Sequence, residues 1–176
     1  MPNTFLIADT HFGHEAIIRY ERRPFADAAE MDAHLLANWN AAVAQDDLVY
    51  MLGDFALASA ERVRALLHAL HGRKLLILGN HDRKHPAAWW QDAGFHWVSP
   101  YPILAEENLL LSHEPLYVNA NMPYANIFGH VHGNPAYKDA SGQHVCVSCE
   151  RIGYTPLALE ALRTRMQAAR EAEAQG

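Results

Sequence analysis

The sequence predicts an α/β fold, and two observations carry that reading. Short apolar runs suited to strands alternate with segments whose apolar residues recur at helical spacing, and the links between them are short. The apolar runs also stop in a common way. Phe5-Leu6-Ile7-Ala8 stops at Asp9-Thr10-His11, Leu48-Val49-Tyr50-Met51-Leu52 at Gly53-Asp54, and Leu76-Ile77-Leu78 at Gly79-Asn80-His81-Asp82. Leu109-Leu110-Leu111-Ser112 stops at His113, and Asn126-Ile127-Phe128 at Gly129-His130-Val131-His132. Five strand ends, each bearing Asp, Asn or His, predict one polar site along one edge of a sheet.

The elements follow in order. Residues 4–8 read as a strand. Residues 9–24 are polar and run into the basic-aromatic segment Arg19-Tyr20-Glu21-Arg22-Arg23-Pro24-Phe25, where Pro24 opposes a long helix. Asp27, with Glu30 three residues on, has the pattern of a capping box. Met31, Leu35, Trp39 and Val43, with Leu36 alongside, form one apolar face of the next helix, and Asp46-Asp47 breaks it. Residues 48–52 are nearly all apolar, as in a strand covered on both faces. Ser59 caps a second helix lined by Val63, Leu66, Leu67 and Leu70, and Gly72 stops it. Residues 74–78 are the next strand. Residues 86–93 form a short helix anchored by Trp89 and Trp90 and stopped by Gly94. Residues 95–99, 103–105 and 108–112 read as shorter strands, with Glu106-Glu107-Asn108 as a hairpin turn. A loop over 115–124 precedes Ile127-Phe128, Ala136-Tyr137 and residues 144–148, which complete a second set of strands, with Ser141-Gly142 as a turn. From Pro156 onward Leu157, Leu159, Leu162 and Met166 describe a terminal helix, and residues 171–176 are expected to fray.

At this length residues 1–176 are expected to form a single domain, and a half-hydrophobic composition supplies its core. The net charge of −6 opposes tight binding to duplex nucleic acid, where cationic side chains must neutralise phosphates. No apolar run approaches the roughly 20 residues needed to span a bilayer. Met1-Pro2-Asn3-Thr4 has no basic leader, so a cytoplasmic protein without membrane contact is expected. Cys146 and Cys149 have the spacing of a zinc half-site or redox pair. They fall in a run that reads as a strand, where an offset of three puts them on opposite faces, and no second pair exists; they read as ordinary reduced cysteines. Twelve histidines are an excess for this length, and histidine is the commonest metal ligand.

On an extended chain Asp9 and His11, at i and i+2, point the same way, and His130 and His132 repeat the spacing. Asp54 comes after a glycine that permits a tight turn. Asn80 offers a neutral oxygen and His113 an imidazole. These seven mixed N/O donors exceed one tetrahedral zinc site and suit two adjacent divalent ions sharing a carboxylate. Imidazole and carboxylate without thiolate favour manganese, iron, zinc or nickel. Two ions about 3.5–4 Å apart make a bridging hydroxide available to attack phosphorus and spread the charge of a phosphoryl transition state. His81 is not needed as a ligand and is the natural general acid for the leaving oxygen, with Asp82 orienting or charging it. Any one such Asp or His is more often a turn residue or a cap; the force lies in five tips in this order.

The series Asp9-x-His11, Gly53-Asp54, Gly79-Asn80-His81-Asp82, His113 and Gly129-His130-x-His132 resembles the calcineurin-like metallophosphoesterase superfamily, in family order from residue 5 to about residue 132. The resemblance implies a four-layer α/β/β/α sandwich of two mixed sheets flanked by helices. It implies one ion on Asp9, His11, Asp54 and His132, and another on Asp54, Asn80, His113 and His130, with Asp54 bridging. It makes His81 the catalytic histidine. Asp9-Thr10-His11-Phe12-Gly13-His14, Arg23-Pro24-Phe25 and Asn38-Trp39-Asn40 are similar to a subgroup of compact bacterial and phage phosphoesterases, without the large cap domains of some relatives.

Substrate contacts are expected from His14, from Asn80 and from an arginine, best Arg23, clamping phosphate bidentately; Arg19 and Arg22 share its segment. A solvated basic face is the plainer alternative for each arginine. Asn119 and Asn121 are candidates with a turn role as alternative. Trp89 or Trp90 could stack a base, but adjacent residues cannot both face one pocket, so core packing is expected of at least one. His34, His68, His71, His85, His96 and His144 have no place in the pattern and read as structural or exposed. The expected activity is a phosphodiesterase acting on small nucleotide-like phosphoesters. A phosphomonoesterase is the next alternative, and an acidic chain places a nuclease third. A non-catalytic metal-binding scaffold is the alternative of another class, and the presence of His81 counts against it. The oligomeric state is not legible.

Overall fold

The structure, a computed structural model, describes residues 1–175. In chain order it contains β1 (Thr4–Ile7), α1 (Glu15–Tyr20), α2 (Ala28–Ala42), β2 (Leu48–Met51), α3 (Ala60–Ala69), β3 (Arg73–Ile77), α4 (Ala87–Ala93), β4 (Trp97–Ser99), β5 (Ile103–Ala105), β6 (Leu109–Leu111), β7 (Ala125–Phe128), β8 (His144–Cys146), β9 (Leu157–Ala158) and α5 (Leu159–Ala174). Two mixed sheets result, a five-stranded one ordered β4-β3-β2-β1-β9 and a four-stranded one ordered β5-β6-β7-β8. β1 to β4 are parallel and β9 is antiparallel to β1. β6, β7 and β8 are parallel and β5 is antiparallel to β6. The architecture is the expected α/β pair of mixed sheets flanked by helices, and a sandwich fits it.

Local chemistry accounts for the elements. Asp27 Oδ1 accepts the Glu30 N–H at 2.8 Å, and Glu30 Oε2 accepts the Ala26 N–H at 2.6 Å, so the start of α2 is capped reciprocally. Met31, Leu35 and Trp39 are the buried face of that helix. β1 and β2 are buried at all but their first residue and β3 at Lys74, Leu76 and Ile77, as expected of a parallel sheet covered on both faces. One buried apolar cluster takes residues from both sheets and from every helix, including Ile17, Leu35, Leu66, Trp90, Leu162, Leu111 and Val145. Lys74 Nζ donates to the carbonyls of Leu70 (2.6 Å) and Gly72 (2.9 Å), satisfying acceptors at the end of α3.

The sheets meet where the site lies. Just past β1, the Ala8 N–H donates to Val147 O at 2.9 Å and Ala8 O accepts the Cys149 N–H at 3.1 Å. The chain leaving β1 thus runs beside the chain leaving β8.

Four sequence expectations differ. Ala136-Tyr137 is not a strand: the Tyr137 N–H turns back to Asn134 O, and Arg151 takes the carbonyls of Asn134 and Tyr137 that a neighbouring strand would have used. Leu157–Ala158 is a strand, paired with Phe5 and Leu6 but too short to show periodicity. α5 continues through Ala174, past the start of the expected fraying, while Gly176 lies outside the described residues. Cys149 lies in a short helical turn beyond β8, not on the strand; both cysteines are free and buried. Among the described residues no helix is long and apolar enough to cross a membrane.

Candidate metal centre

Each strand end bends sharply into the site. Asp9, His11, Asp54, His130 and His132 all have positive φ, between 47° and 68°. That conformation costs a non-glycine residue about 1–2 kcal/mol. Among the described residues, five of the nine non-glycine residues with positive φ are therefore expected ligands, a concentration of strain that marks functional loops. Hydrogen bonds hold the bends together. Asp9 N–H donates to Gly53 O and His11 N–H to Asp54 O, each at 3.0 Å, which zips the loop after β1 to the loop after β2. The His130 N–H donates to Asp9 Oδ2 at 2.8 Å and ties in the loop after β7. Glycines leave the space: a Cβ on Gly79 would overlap Asp54, and one on Gly129 would overlap Ala8 and Asp9.

All seven expected ligands converge. Asp54 Oδ2 lies 3.5 Å from both His11 Nε2 and His113 Nε2. Asp9 Oδ1 lies 4.0 Å from His132 Nε2 and from His113 Nδ1. Asn80 Oδ1 lies 2.9 Å from His113 Nε2 and 3.0 Å from His130 Nδ1. Among the described residues three groups have ligand atoms close enough together to hold an ion: Asp9, His11 and His132; Asp9, Asp54 and His113; and Glu21, His132 and Glu150.

Two buried atoms at the centre, Asp9 Oδ1 and His11 Nε2, have no hydrogen-bond partner. Buried polar atoms are nearly always paired, so these two are where a cation would be held. The electrostatics agree. Burial pushes the Asp9 carboxyl up, partly offset by His132 and His113. Burial, then the neighbouring His132, holds His11 well below the usual histidine range, which keeps it neutral and able to ligate. The Asp9 carboxylate, desolvated by burial, beside the neutral His11 imidazole is a donor pair that fits a divalent ion.

His81 stands at the mouth. Its side chain is 41% exposed, and its Nε2 is 3.9 Å from Asp54 Oδ2. Its backbone N–H donates to Asp54 Oδ1 at 2.9 Å, which leaves Oδ2 for the centre. His14, half-buried, lies beside it with ring centroids 6.0 Å apart, and its Nδ1 is 3.2 Å from His11 Nδ1. His14 thus lies beside His11 and His81.

Two expected residues have other work. Asp82 does not orient His81. Its Oδ2 accepts the N–H groups of Asp54 (2.7 Å) and Gly79 (2.8 Å), and its Oδ1 accepts that of Phe55 (3.0 Å). It fixes the backbone of two ligand loops, and burial, with Asp54 beside it, pushes its carboxyl up to about 6. Arg23 does not reach out to clamp a phosphate. It is 4% exposed and donates to Asp9 O (2.6 Å), Thr10 O (3.0 Å) and Glu150. The chain doubles back after α1, where Arg22 has positive φ, and carries Arg23 beneath the first ligand loop. Asn80 Oδ1 faces His113 and His130, consistent with a ligand. Asn119 accepts the Asn121 N–H in a turn, Trp90 is core, and Trp89 stacks on His85. Arg22 lines an open cleft of about 560 Å³ beside His130 and His132, with Tyr20, Glu21, Asn134 and Tyr137.

Sequence reasoning missed Ser148, Glu150 and Arg151. Ser148 Oγ donates to Asp9 Oδ2 (2.7 Å), Glu150 Oε1 meets His132 Nδ1 (3.1 Å), and Arg151 Nε donates to His132 O (2.6 Å). The signal was present: this polar stretch comes just after β8, in the position that ligand loops take after the other strands.

No protein-family model matches the sequence. The crystal structure of AQ665, a protein of unknown function from Aquifex aeolicus, has the same fold, with a TM-score of 0.70 over 93% of this chain and 99% of that one at 24% identity. The Gene 66 protein of mycobacterium phage L5 is 40% identical over 92 residues, which cover 49% of this chain and 42% of the phage protein. The uncharacterized protein MJ1445 of Methanocaldococcus jannaschii is 32% identical over 169 residues, 91% of this chain and 89% of that protein. With that identity spread over nearly its whole length, the chain belongs to the family of MJ1445.

Proposed function

We propose that the protein is a metal-dependent phosphoester hydrolase of the calcineurin-like metallophosphoesterase type. The observation that carries the reading is the convergence of Asp9, His11, Asp54, Asn80, His113, His130 and His132 around two buried donor atoms that lack partners. In this reading Asp9, His11, Asp54 and His132 hold one divalent ion, and Asp54, Asn80, His113 and His130 hold the other. Manganese, iron, zinc and nickel suit these donors. The ions, when bound, supply an acidified water and a clamp for two phosphate oxygens.

The chain supplies the rest. Asp54 keeps Oδ2 free towards His11 and His113 because the His81 N–H occupies Oδ1. Asp82 holds the Asp54 and Gly79 backbones so that both ligand loops keep their place. His81, exposed at the mouth, protonates the leaving oxygen, and His14 stands next to it. The cleft beside His130 and His132 is of a size for a small phosphoester, and a nucleotide-like diester is the proposed substrate. The acidic chain is a poor partner for duplex nucleic acid.

The test is hydrolysis of paired aryl phosphate mono- and diesters by protein stripped with chelator and refilled with manganese, nickel, zinc or iron. Restored turnover is expected, faster on the diester. A faster monoester rate makes the protein a phosphomonoesterase. Folded protein that binds two ions and turns over neither ester with any metal would overturn the hydrolase reading in favour of a scaffold.

A further inference from the structure

β8 contributes no ligand, yet the chain leaving it touches the candidate centre at three points. Ser148 Oγ donates to Asp9 Oδ2, Glu150 Oε1 meets the His132 ring at Nδ1, and Arg151 Nε donates to His132 O. We propose that Ser148, Glu150 and Arg151, with Arg23, are positioning residues for one half of the centre, the Asp9–His11–His132 half, and set the affinity of one ion without setting that of the other. The inference rests on the two-ion reading above.

His132 needs such help. Its backbone is left-handed, with φ of 47°, and its Nε2 must face Asp9 Oδ1, 4.0 Å away. A carboxylate that accepts the Nδ1–H fixes the tautomer with the lone pair on Nε2, where a metal can take it. Glu150 is that carboxylate, 3.1 Å from Nδ1. Arg151 holds the same residue by its carbonyl and extends to Asn134 O (2.7 Å), Tyr137 O (3.1 Å) and Asp139 (2.6 Å), so the loop carrying His132 is pinned at several points.

Asp9 is held in the same way. Its Oδ2 accepts from Ser148 Oγ and from the His130 N–H, which directs Oδ1, the atom without a partner, into the centre. Arg23 closes the circuit. Its guanidinium meets Glu150 Oε1 through Nε (2.8 Å) and Nη2 (2.7 Å) while donating to the carbonyls of Asp9 and Thr10. One buried cation thereby links the loop bearing Asp9 and His11 to the carboxylate that orients His132.

The other half is supported differently. His113 Nδ1 is 2.8 Å from Leu52 O, and Asn80 Oδ1 lies between His113 and His130. Among the described residues neither side chain has a hydrogen bond from residues 148–151.

Equilibrium dialysis of chelator-stripped full-length protein against manganese(II) tests this, with circular dichroism as the check of folding. Glu150→Gln, like Glu150→Ala, takes the carboxylate away from buried Arg23, but it keeps the side chain's shape and an oxygen for the guanidinium while the charged acceptor of the His132 ring is lost, so it is the main variant. Ser148→Ala is the independent second one, since it leaves Glu150 and Arg23 intact and removes the hydroxyl's contacts to Asp9 and to Cys146 Sγ. The expected result is wild type binding two ions, with Glu150→Gln weakening one of them about 10–100-fold and leaving the other unchanged. Ser148→Ala should weaken the same ion by less. Folded Glu150→Gln and Ser148→Ala proteins that keep both wild-type affinities, or lose both ions in parallel, would overturn the positioning role alone. Wild type that binds fewer than two ions would overturn the two-ion reading and this inference with it.

Discussion

At the scale of single residues, the proposed hydrolase separates metal ligands from a general acid. His81 lies 3.9 Å from Asp54 Oδ2 with its side chain 41% exposed, and it donates only its backbone N–H to the ligand set. His81→Ala should therefore leave metal content unchanged and lower kcat by roughly 10²–10⁴-fold, most for esters with poor leaving groups, as loss of a general acid does. Metal analysis beside a leaving-group series checks this; parallel loss of metal would make His81 a ligand. Asp54 predicts the reverse pattern. Its Oδ2 is shared between His11 and His113, so Asp54→Ala should empty both ion positions, and a variant retaining two ions would remove its bridging role.

At the scale of elements, the strand ends are held by backbone contacts that a one-dimensional reading does not see. Asp82 carries three N–H groups from the loops after β2 and β3. Asp82→Ala should cost about 1–3 kcal/mol or more by leaving those donors unpaired, measured as a fall in urea midpoint. The end of α3 offers a pH test. Burial pushes the Lys74 ammonium down to about 8 from its ordinary 10.5. Below about 8 both folded and unfolded chains hold the proton, and the cost of burying it is full. Between there and 10.5 the unfolded chain holds more protons, so stability rises with pH. Urea midpoints taken from pH about 7.5 to 9.5 should rise in wild type relative to Lys74→Met, below the range where Tyr50 and Tyr154, both pushed up to about 12, diverge from unfolded tyrosine. A parallel pair of curves would sink the assignment. Legibility divides along the same line. The convergence of the expected ligands was readable because each comes directly after an apolar run. Asp82 and Arg23 were misjudged because their partners are backbone groups brought near only by folding: 27 and 28 residues away for Asp82, 13 and 14 for Arg23. Glu150 was missed as a partner of His132 because the strand before it carries no expected ligand, although its polar stretch stands where the other strands place theirs. Ala136-Tyr137 alternates like a strand, yet its hydrogen-bond needs are met by an arginine.

At the scale of the whole molecule, the centre is the seam between the sheets. Asp9, His11, Asp54 and Asn80 come from the ends of β1, β2 and β3, and His113, His130 and His132 from the ends of β6 and β7, so any ion held by both sets cross-links the two sheets. The seam without ions brings together the buried carboxylates of Asp9, Asp54 and Asp82, two of them pushed up by burial, which is an unfavourable arrangement that a cation relieves. Ions that bind only the folded chain must stabilise it by mass action, about 2.7 kcal/mol for each ion supplied at 100 times its dissociation constant. Two ions then give roughly 5 kcal/mol, and at about 2–4 °C per kcal/mol for a domain near this size the melting temperature should rise by roughly 10–20 °C. Thermal melts in chelator and in excess manganese(II) measure the difference, and Asp54→Ala should abolish most of it. A wild-type melt that does not move at a metal concentration that restores turnover would mean that the ions do not join the two sheets. The seven ligands would then have to be divided between sites within each sheet.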